Sequence, residues 1–174
     1  MHHTSFIGIL ASIYKPNVYV ELGLYEGETL TLVQPHIKTG YGVDIKPNTY
    51  LEDLKKHSNL NIIYTNTVTF FDTFNEGIDM AFIDADHCYN SVLVDFNNVF
   101  DRLNPGGIIL LHDTDPREEY LIDPGYCGDA YKIVKDLELR DDINIITLPI
   151  TEAGLSIITK KNDTRTFRRQ LIGL

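Results

Sequence analysis

The chain has 174 residues, room for one domain with a sizeable core, and nothing in it resembles a linker or a repeat, so residues 1–174 read as a single domain. Its 15 Lys plus Arg against 25 Asp plus Glu leave a formal net charge of -10, which repels a phosphate backbone and argues against a nucleic-acid partner. No apolar run approaches the roughly 18 residues of a membrane span, and Met-His-His-Thr-Ser is not the start of a signal peptide, so a soluble, cytoplasmic protein without a membrane partner is expected.

In chain order, Phe6, Ile7, Leu10, Ile13 and Tyr14 fall at helical spacing, and Lys15-Pro16-Asn17 ends that pattern before a strand at 18–22. No role is assigned to His2 and His3. After Gly27 a helix begins with Thr29, Leu30, Leu32 and Val33, and Pro35 makes it short or kinked. A second strand at 41–45 leads to a helix capped by Asn48 and carrying Tyr50, Leu51 and Leu54, then to a third strand at 61–65. The fourth strand is 78–84. A helix with Val92, Val94, Phe96, Val99 and Phe100 then passes through Asn104-Pro-Gly-Gly107 to a fifth strand at 108–113.

These strands are apolar on both faces, as in a parallel sheet covered by helices. A further helix is expected over 131–139. Strands at 143–149 and 155–159, joined by Thr151-Glu-Ala-Gly154, suit an antiparallel hairpin, because a parallel pair needs a crossover of a dozen or more residues. The expected fold is α/β: a Rossmann-like, doubly wound, seven-stranded sheet, mostly parallel, with one strand reversed near the C-terminus. Cys88 and Cys127 lack the paired spacing of a zinc or redox site and read as reduced thiols. The basic stretch Lys160, Lys161, Arg165, Arg168 and Arg169 reads as solvated surface.

The segment Val18-Tyr-Val-Glu-Leu-Gly-Leu-Tyr-Glu-Gly-Glu-Thr29 feeds a strand into a glycine turn that opens a helix, and Asp44 ends the next strand twenty-one residues after Gly23. That spacing places a carboxylate where a nucleotide's ribose lies in an open parallel sheet. A pyrophosphate requires G-x-G-x-x-G. Here Tyr25 stands in place of the middle glycine and Glu21 adds a negative charge, so an adenosyl ligand bearing an ammonium and a sulfonium fits better than NAD: S-adenosylmethionine. The candidate cofactor residues are Glu21, Gly23, Tyr25, Gly27, Asp44 and Asp84.

Glu21, Asp44, Asp84 and Asp113 all stand at strand ends, where ligands bind in such sheets; taken singly, each is as readily a cap or a turn former. In Phe82-Ile-Asp-Ala-Asp-His-Cys-Tyr89, His87 follows Asp84 by three residues, so the turn can fold its imidazole back to the same cleft. Its free pKa of about 6.5 suits proton transfer, which makes His87 the candidate base; the alternative is a helix-start histidine bonded to Asp86 or backbone. His112-Asp113-Thr114 ends the neighbouring strand. Asp84, Asp113 and His112 could hold a hard divalent cation, magnesium being the expected ion, while the alternative leaves Asp113 as a substrate contact or cap.

ELGLYEGET, the acid in GVDI, FIDADHCY and LNPGGIILLHD together resemble class I S-adenosylmethionine-dependent methyltransferases, and the small-molecule O-methyltransferases in particular: the catechol, rhamnosyl and macrolide-sugar enzymes. The resemblance covers nearly the whole chain. It implies the methionine end of the cofactor over Glu21, Gly23 and Gly27, Asp44 on the ribose, Asp84 and Asp113 at metal-ligand positions, and His87 at the general-base position. Two departures stand out: His112 occupies a place where macrolide-type relatives carry an acid, and catechol-type relatives carry several extra amino-terminal helices over the active site, whereas this chain reaches its first strand by residue 18. The roof is therefore expected from the loop Asp115–Gly128, with Tyr120, Pro124 and Tyr126, or from a second copy in a homo-oligomer. Transfer of a methyl group to a hydroxyl of a sugar, polyol or similar small molecule is the expected activity. A non-catalytic S-adenosylmethionine-binding protein and an NAD-linked oxidoreductase are the rivals.

Overall fold

The computed structural model describes residues 2–161. Helix α1 (His3–Tyr14) is followed by β1 (Val18–Leu22), α2 (Glu28–Val33), β2 (Thr39–Asp44), β3 (Leu60–Tyr64), α3 (Thr67–Thr73), β4 (Ile78–Ile83), α4 (Tyr89–Arg102), β5 (Leu103–His112), α5 (Ile133–Glu138), β6 (Ile143–Leu148) and β7 (Leu155–Lys160). The strands form a seven-stranded sheet in the order β3-β2-β1-β4-β5-β7-β6. β1 to β5 pair in parallel, and β7 runs antiparallel to both neighbours. The expected Rossmann-like sheet with one reversed strand is therefore what forms.

Two apolar layers flank the sheet. On one side Phe70, Phe71, Val92, Phe96, Ile133 and Leu137 from α3, α4 and α5 pack on Val20, Ile83 and Ile109. On the other, Ile7 and Ala11 of α1 and Leu30 and Val33 of α2 pack on Tyr19, Met80 and Leu110. The outer turn of α1 is less buried than its spacing suggests, with Ile13 75% exposed. Among the described residues no helix is long and apolar enough to cross a membrane.

Local chemistry explains where the elements depart from expectation. Pro35 ends α2 at Val33, and Gln34–His36 tightens into a 3₁₀ turn. The helix expected after Asn48 is a pair of 3₁₀ turns, although Asn48 does cap, accepting a hydrogen bond from the Tyr50 amide. α3 is an element the sequence pattern did not reveal; Asn66 starts it by accepting from the Thr69 amide. β5 begins at Leu103, so Asn104-Pro-Gly-Gly107 lies inside the strand. The helix expected over 131–139 is a 3₁₀ turn at Ala130–Lys132 running into α5. Of the basic stretch, Lys160 donates to the Leu103 carbonyl, Lys161 is exposed, and Arg165, Arg168 and Arg169 lie outside the described residues.

Candidate active site

The direction of strand addition reverses between β1 and β4, and a crevice opens at their carboxyl ends. The backbone closes tightly there. Gly23 donates to Val43 O at 2.9 Å, Asp84 N to Leu22 O at 2.8 Å, and Gly23 sits at φ +85 with the space for a Cβ filled by the Asp84 carbonyl at 2.1 Å. Only glycine meets both conditions.

Asp44, expected on a ribose, is also a fastener of this turn. One carboxylate oxygen accepts from the Leu24 amide at 2.9 Å and from the Tyr25 amide at 3.4 Å, and the other from Lys46 N at 2.9 Å. These bonds hold Tyr25 at a positive φ of 48 with its ring 81% exposed.

Glu21 is 1% exposed and accepts the Tyr19 hydroxyl at 2.6 Å. Burial pushes its carboxyl up to about 8, opposed by the Tyr19 hydrogen bond and assisted by the charge of Asp84. A buried acid at the mouth of a glycine turn, with no basic partner among the described residues, fits a ligand's ammonium or sulfonium and misfits a pyrophosphate.

Asp84, His87, His112 and Asp113 converge. His87 turns its Nδ1 to the Tyr126 carbonyl, and its Nε2 lies 3.3 Å from Asp113 and 3.9 Å from Asp84. A carbonyl only accepts, so Nδ1 carries the proton and Nε2 is the nitrogen left facing the cleft. The His87 carbonyl in turn accepts from Asp129 N and Ala130 N, which ties the β4–α4 turn to the segment before α5.

His112, expected as a third metal ligand, is placed differently: its Nδ1 donates to Asp84 Oδ1 at 3.1 Å, with Asp113 Oδ1 a further charged neighbour at 3.1 Å. Burial disfavours charge on His112, yet the hydrogen bond to Asp84 and the charges of Asp84 and Asp113 outweigh it and raise its pKa. Among the described residues, the atoms that could surround an ion belong to Asp84, His87 and Asp113, all within 4.8 Å of one another. Two carboxylates and an imidazole suit a divalent cation in donor type. Asp113 is 4% exposed and holds φ +58, a conformation that costs a non-glycine residue about 1 kcal/mol and puts its carboxylate into this cluster.

Two connected cavities share Gly23, Asp44, Ala85, His87 and Gly125 in their walls. The first, about 920 Å³, carries acidic side chains from Glu21, Glu26 and Glu28 through Asp84 and Asp113 to Glu152 and, among the described residues, no Lys or Arg. The second, about 1200 Å³, lies beyond Asp44 and is walled by Ile45, Val68, Val94 and Ile122, each 44–67% exposed. The sequence did not place these four aliphatic side chains at the site: Ile45 follows β2 directly, but Val68 is in α3, Val94 in α4 and Ile122 in the loop after β5, so no shared spacing marks them.

The loop from Asp115 to Gly128 does wall the first cavity, through Leu121, Gly125, Tyr126 and Cys127, and the β6–β7 turn joins it with Thr151, Glu152 and Ala153. Asp115 N donates to Ala153 O at 2.7 Å and Tyr120 hydroxyl to Glu152 at 2.9 Å, binding loop and turn together. Tyr120 and Pro124 do not line this cavity; Pro124 faces the second one. Burial, with Asp113 close by, pushes the Cys127 thiol up to about 12, so it stays protonated. The remaining wall comes from His2, His3 and Thr4 at the start of α1. His3 and His112 ring centroids are 4.1 Å apart, and burial together with His112 lowers the His3 imidazole to about 4.

A family model described as a methyltransferase domain matches residues 20–114. An uncharacterised protein of Acanthamoeba polyphaga mimivirus is 30% identical over 78% of this chain and 68% of that protein. Among solved structures, a methyltransferase of Podospora anserina bound to SAH is similar with a TM-score of 0.75 at 18% identity, covering 92% of this chain and 78% of that one. An O-methyltransferase of Bacillus cereus in complex with SAH gives 0.74 at 14% identity, covering 91% and 80%. The glycine turn, the strand order and the family match agree: the chain belongs to the methyltransferase domain family and carries the class I, Rossmann-like methyltransferase fold.

Proposed function

We propose that the protein transfers the methyl group of S-adenosylmethionine to a hydroxyl oxygen of a small molecule such as a sugar or polyol, with His87 as general base. The observation that carries this reading is the orientation of His87. Its Nδ1–H is held on the Tyr126 carbonyl, so Nε2 is the free basic nitrogen, and Asp113 at 3.3 Å stands ready to stabilise the imidazolium formed when a hydroxyl proton arrives. Asp84, 3.9 Å from the same nitrogen, adds to that field.

The cofactor residues fit an adenosyl sulfonium. Glu21 faces its ammonium and sulfonium charges, the Gly23 and Gly27 turn with Tyr25 bounds its methionine end, Asp44 is at the ribose, and Ile45, Val68, Val94 and Ile122 form the apolar walls for the base. When bound, it supplies the electrophilic methyl group. The SAH-bound Podospora and Bacillus structures of the same fold support this ligand. Asp84 and Asp113 would hold a divalent cation such as magnesium, whose chemistry there would be Lewis-acid stabilisation of the acceptor oxygen. Exclusion of water and alignment fall to the loop 115–128 and the β6–β7 turn.

One observation favours a second arrangement, in which His87 is a metal ligand: its Nε2 lies within the same 4.8 Å group as Asp84 and Asp113. The two roles compete for one nitrogen. Release of S-adenosylhomocysteine from a panel of hydroxylated acceptors, with and without magnesium, for the wild type and His87→Ala, tests the proposal. No release from any acceptor despite S-adenosylmethionine binding would leave the non-catalytic binding protein as the better reading, and binding of NAD instead would leave the oxidoreductase.

A further inference from the structure

The turn that carries His87 is gripped from a distant part of the chain. Ala85, Asp86 and Cys88 are exposed, and Cys88, at the cap position of α4, makes no side-chain capping bond. Inside the turn, Asp86 accepts the Cys88 amide at 2.9 Å. The cap that α4 lacks locally comes from 40 positions on, where Asp129 Oδ1 accepts the Tyr89 amide at 2.7 Å. A carboxylate suits that place twice, since it satisfies a first-turn amide and lies at the positive end of the helix dipole.

Asp129 also holds His87 through its backbone. The amides of Asp129 and Ala130 donate to the His87 carbonyl at 3.0 and 3.1 Å. Gly128 sits at φ +55 against the same carbonyl, and a Cβ there would meet His87 O at 2.4 Å and His87 Cβ at 3.2 Å. Tyr126 takes the ring's Nδ1–H on its own carbonyl. Residues 126–130 therefore hold His87 at its ring and its carbonyl and, through Tyr89, at the amide two positions on. The grip is itself anchored to α5 and the turn before it: Lys132 pairs with the second Asp129 oxygen at 3.1 Å, and the Tyr89 hydroxyl donates to Asp136.

Placement of this imidazole is exacting. A base acts within about 2.6–3.2 Å of the proton it takes, and a misplacement of about 1 Å can cost about a hundredfold in rate. Nothing in a β4–α4 turn with three exposed residues holds Nε2 to that tolerance, whereas the contacts from 126–130 do.

We propose that Asp129 is a positioning residue for methyl transfer: by fixing the Tyr89 amide and the His87 carbonyl it sets where His87 Nε2 stands in the cleft. The inference rests on the general-base reading of His87 and deepens it. Asp129 lines the second cavity and not the first, so it acts on the acceptor only through His87.

The test uses the full chain with ¹⁵N-labelled histidine, and the affinity of every variant for S-adenosylhomocysteine is measured first. The Nδ1–H ring signal of His87, assigned by its loss in His87→Ala, reports placement without any turnover. Asp129→Ala is expected to shift or broaden that signal and to lower kcat about tenfold to a hundredfold, with acceptor KM and S-adenosylhomocysteine affinity held within about twofold. Asp129→Asn keeps a carbonyl oxygen for the Tyr89 amide and should restore most of both. Gly128→Ala, which pushes on the His87 carbonyl with Asp129 intact, should move the same signal.

A wild-type kcat in Asp129→Ala, a ring signal left in place, or a loss that Asn does not restore overturns the proposal. A matching loss of S-adenosylhomocysteine affinity does so too, because it would make Asp129 part of the donor pocket. Should Asp129→Ala fail to fold, Gly128→Ala carries the test, and an unmoved signal there is the overturning result. A wild type that binds S-adenosylhomocysteine yet methylates no acceptor removes the methyl-transfer reading instead, while the ring signals still decide whether Asp129 places His87.

Discussion

Tyr19 and Glu21, two residues apart on β1 and both fully within the protein, share a 2.6 Å hydrogen bond in which the phenol donates to the carboxyl. The bond does not offset the cost of burying charge, and the carboxyl titrates near 8 against its ordinary 4.5. Between those values the folded chain binds a proton that the unfolded chain has lost, so stability contributed by the neutral carboxyl is complete below about 4.5 and disappears as pH rises through about 8. Urea unfolding should show the wild type weakening from about pH 5 to about pH 8.5, and Glu21→Gln with a flatter profile. Equal slopes in the two proteins would remove Glu21 as the cause.

The same carboxyl predicts proton release on cofactor binding. An ammonium or sulfonium beside Glu21 favours its ionised form, so S-adenosylmethionine should bind more tightly as pH rises toward 8 and expel a proton below it. Calorimetry in buffers of different ionisation enthalpy reads that proton directly. Glu21→Gln should abolish the buffer dependence.

His87→Ala should lower turnover by about 10²- to 10⁴-fold while leaving S-adenosylmethionine affinity unchanged. If His87 were instead a metal ligand, the variant would also lose magnesium activation. A magnesium titration of the residual rate separates the two, and a full rate in the variant would remove His87 from the mechanism.

Asp44→Ala should weaken S-adenosylmethionine binding and also loosen the glycine turn, because Asp44 accepts the Leu24 amide at 2.9 Å as well as facing the cleft. Amide exchange at Leu24 should quicken together with the loss of affinity. An unchanged cofactor affinity would overturn the ribose assignment.

Gly23→Ala should destabilise the fold by about 2–4 kcal/mol, since a Cβ would meet the Asp84 carbonyl at 2.1 Å and the backbone holds φ +85. Urea unfolding is the check. An alanine tolerated within about 0.5 kcal/mol would mean the turn can relax away from β4.

Much of this was legible because its signals are local. The mainly apolar stretches at 18–22, 78–83 and 108–112 each carry or meet an acid near the carboxyl end, at Glu21, Asp84 and Asp113, and a hairpin follows from the short link at 151–154, whereas the start of β5 at Leu103 was hidden by Asn104-Pro-Gly-Gly107. The acids at 21, 44, 84 and 113 could be placed in one crevice for the same reason. What stayed hidden depends on partners distant in sequence. His112 is engaged by the carboxylate of Asp84, 28 positions away, and His87 is oriented by a carbonyl 39 positions on. α3 was missed because seven residues with only Phe70 and Phe71 buried give no helical period to read. His3 enters the site solely because α1 docks with its first turn over the end of β5, which no spacing encodes.

The turn between β6 and β7 supplies Thr151, Glu152 and Ala153 to one cavity and nothing to the other. On the proposed reading the methyl donor would be gripped from β1, β2 and β4 at the centre of the sheet, while the acceptor would also meet the surface hairpin at the edge. If that reading holds, the two halves separate: exchange of residues 150–154 for a longer or shorter connection is expected to change which acceptor is methylated while the affinity for the methyl source stays the same.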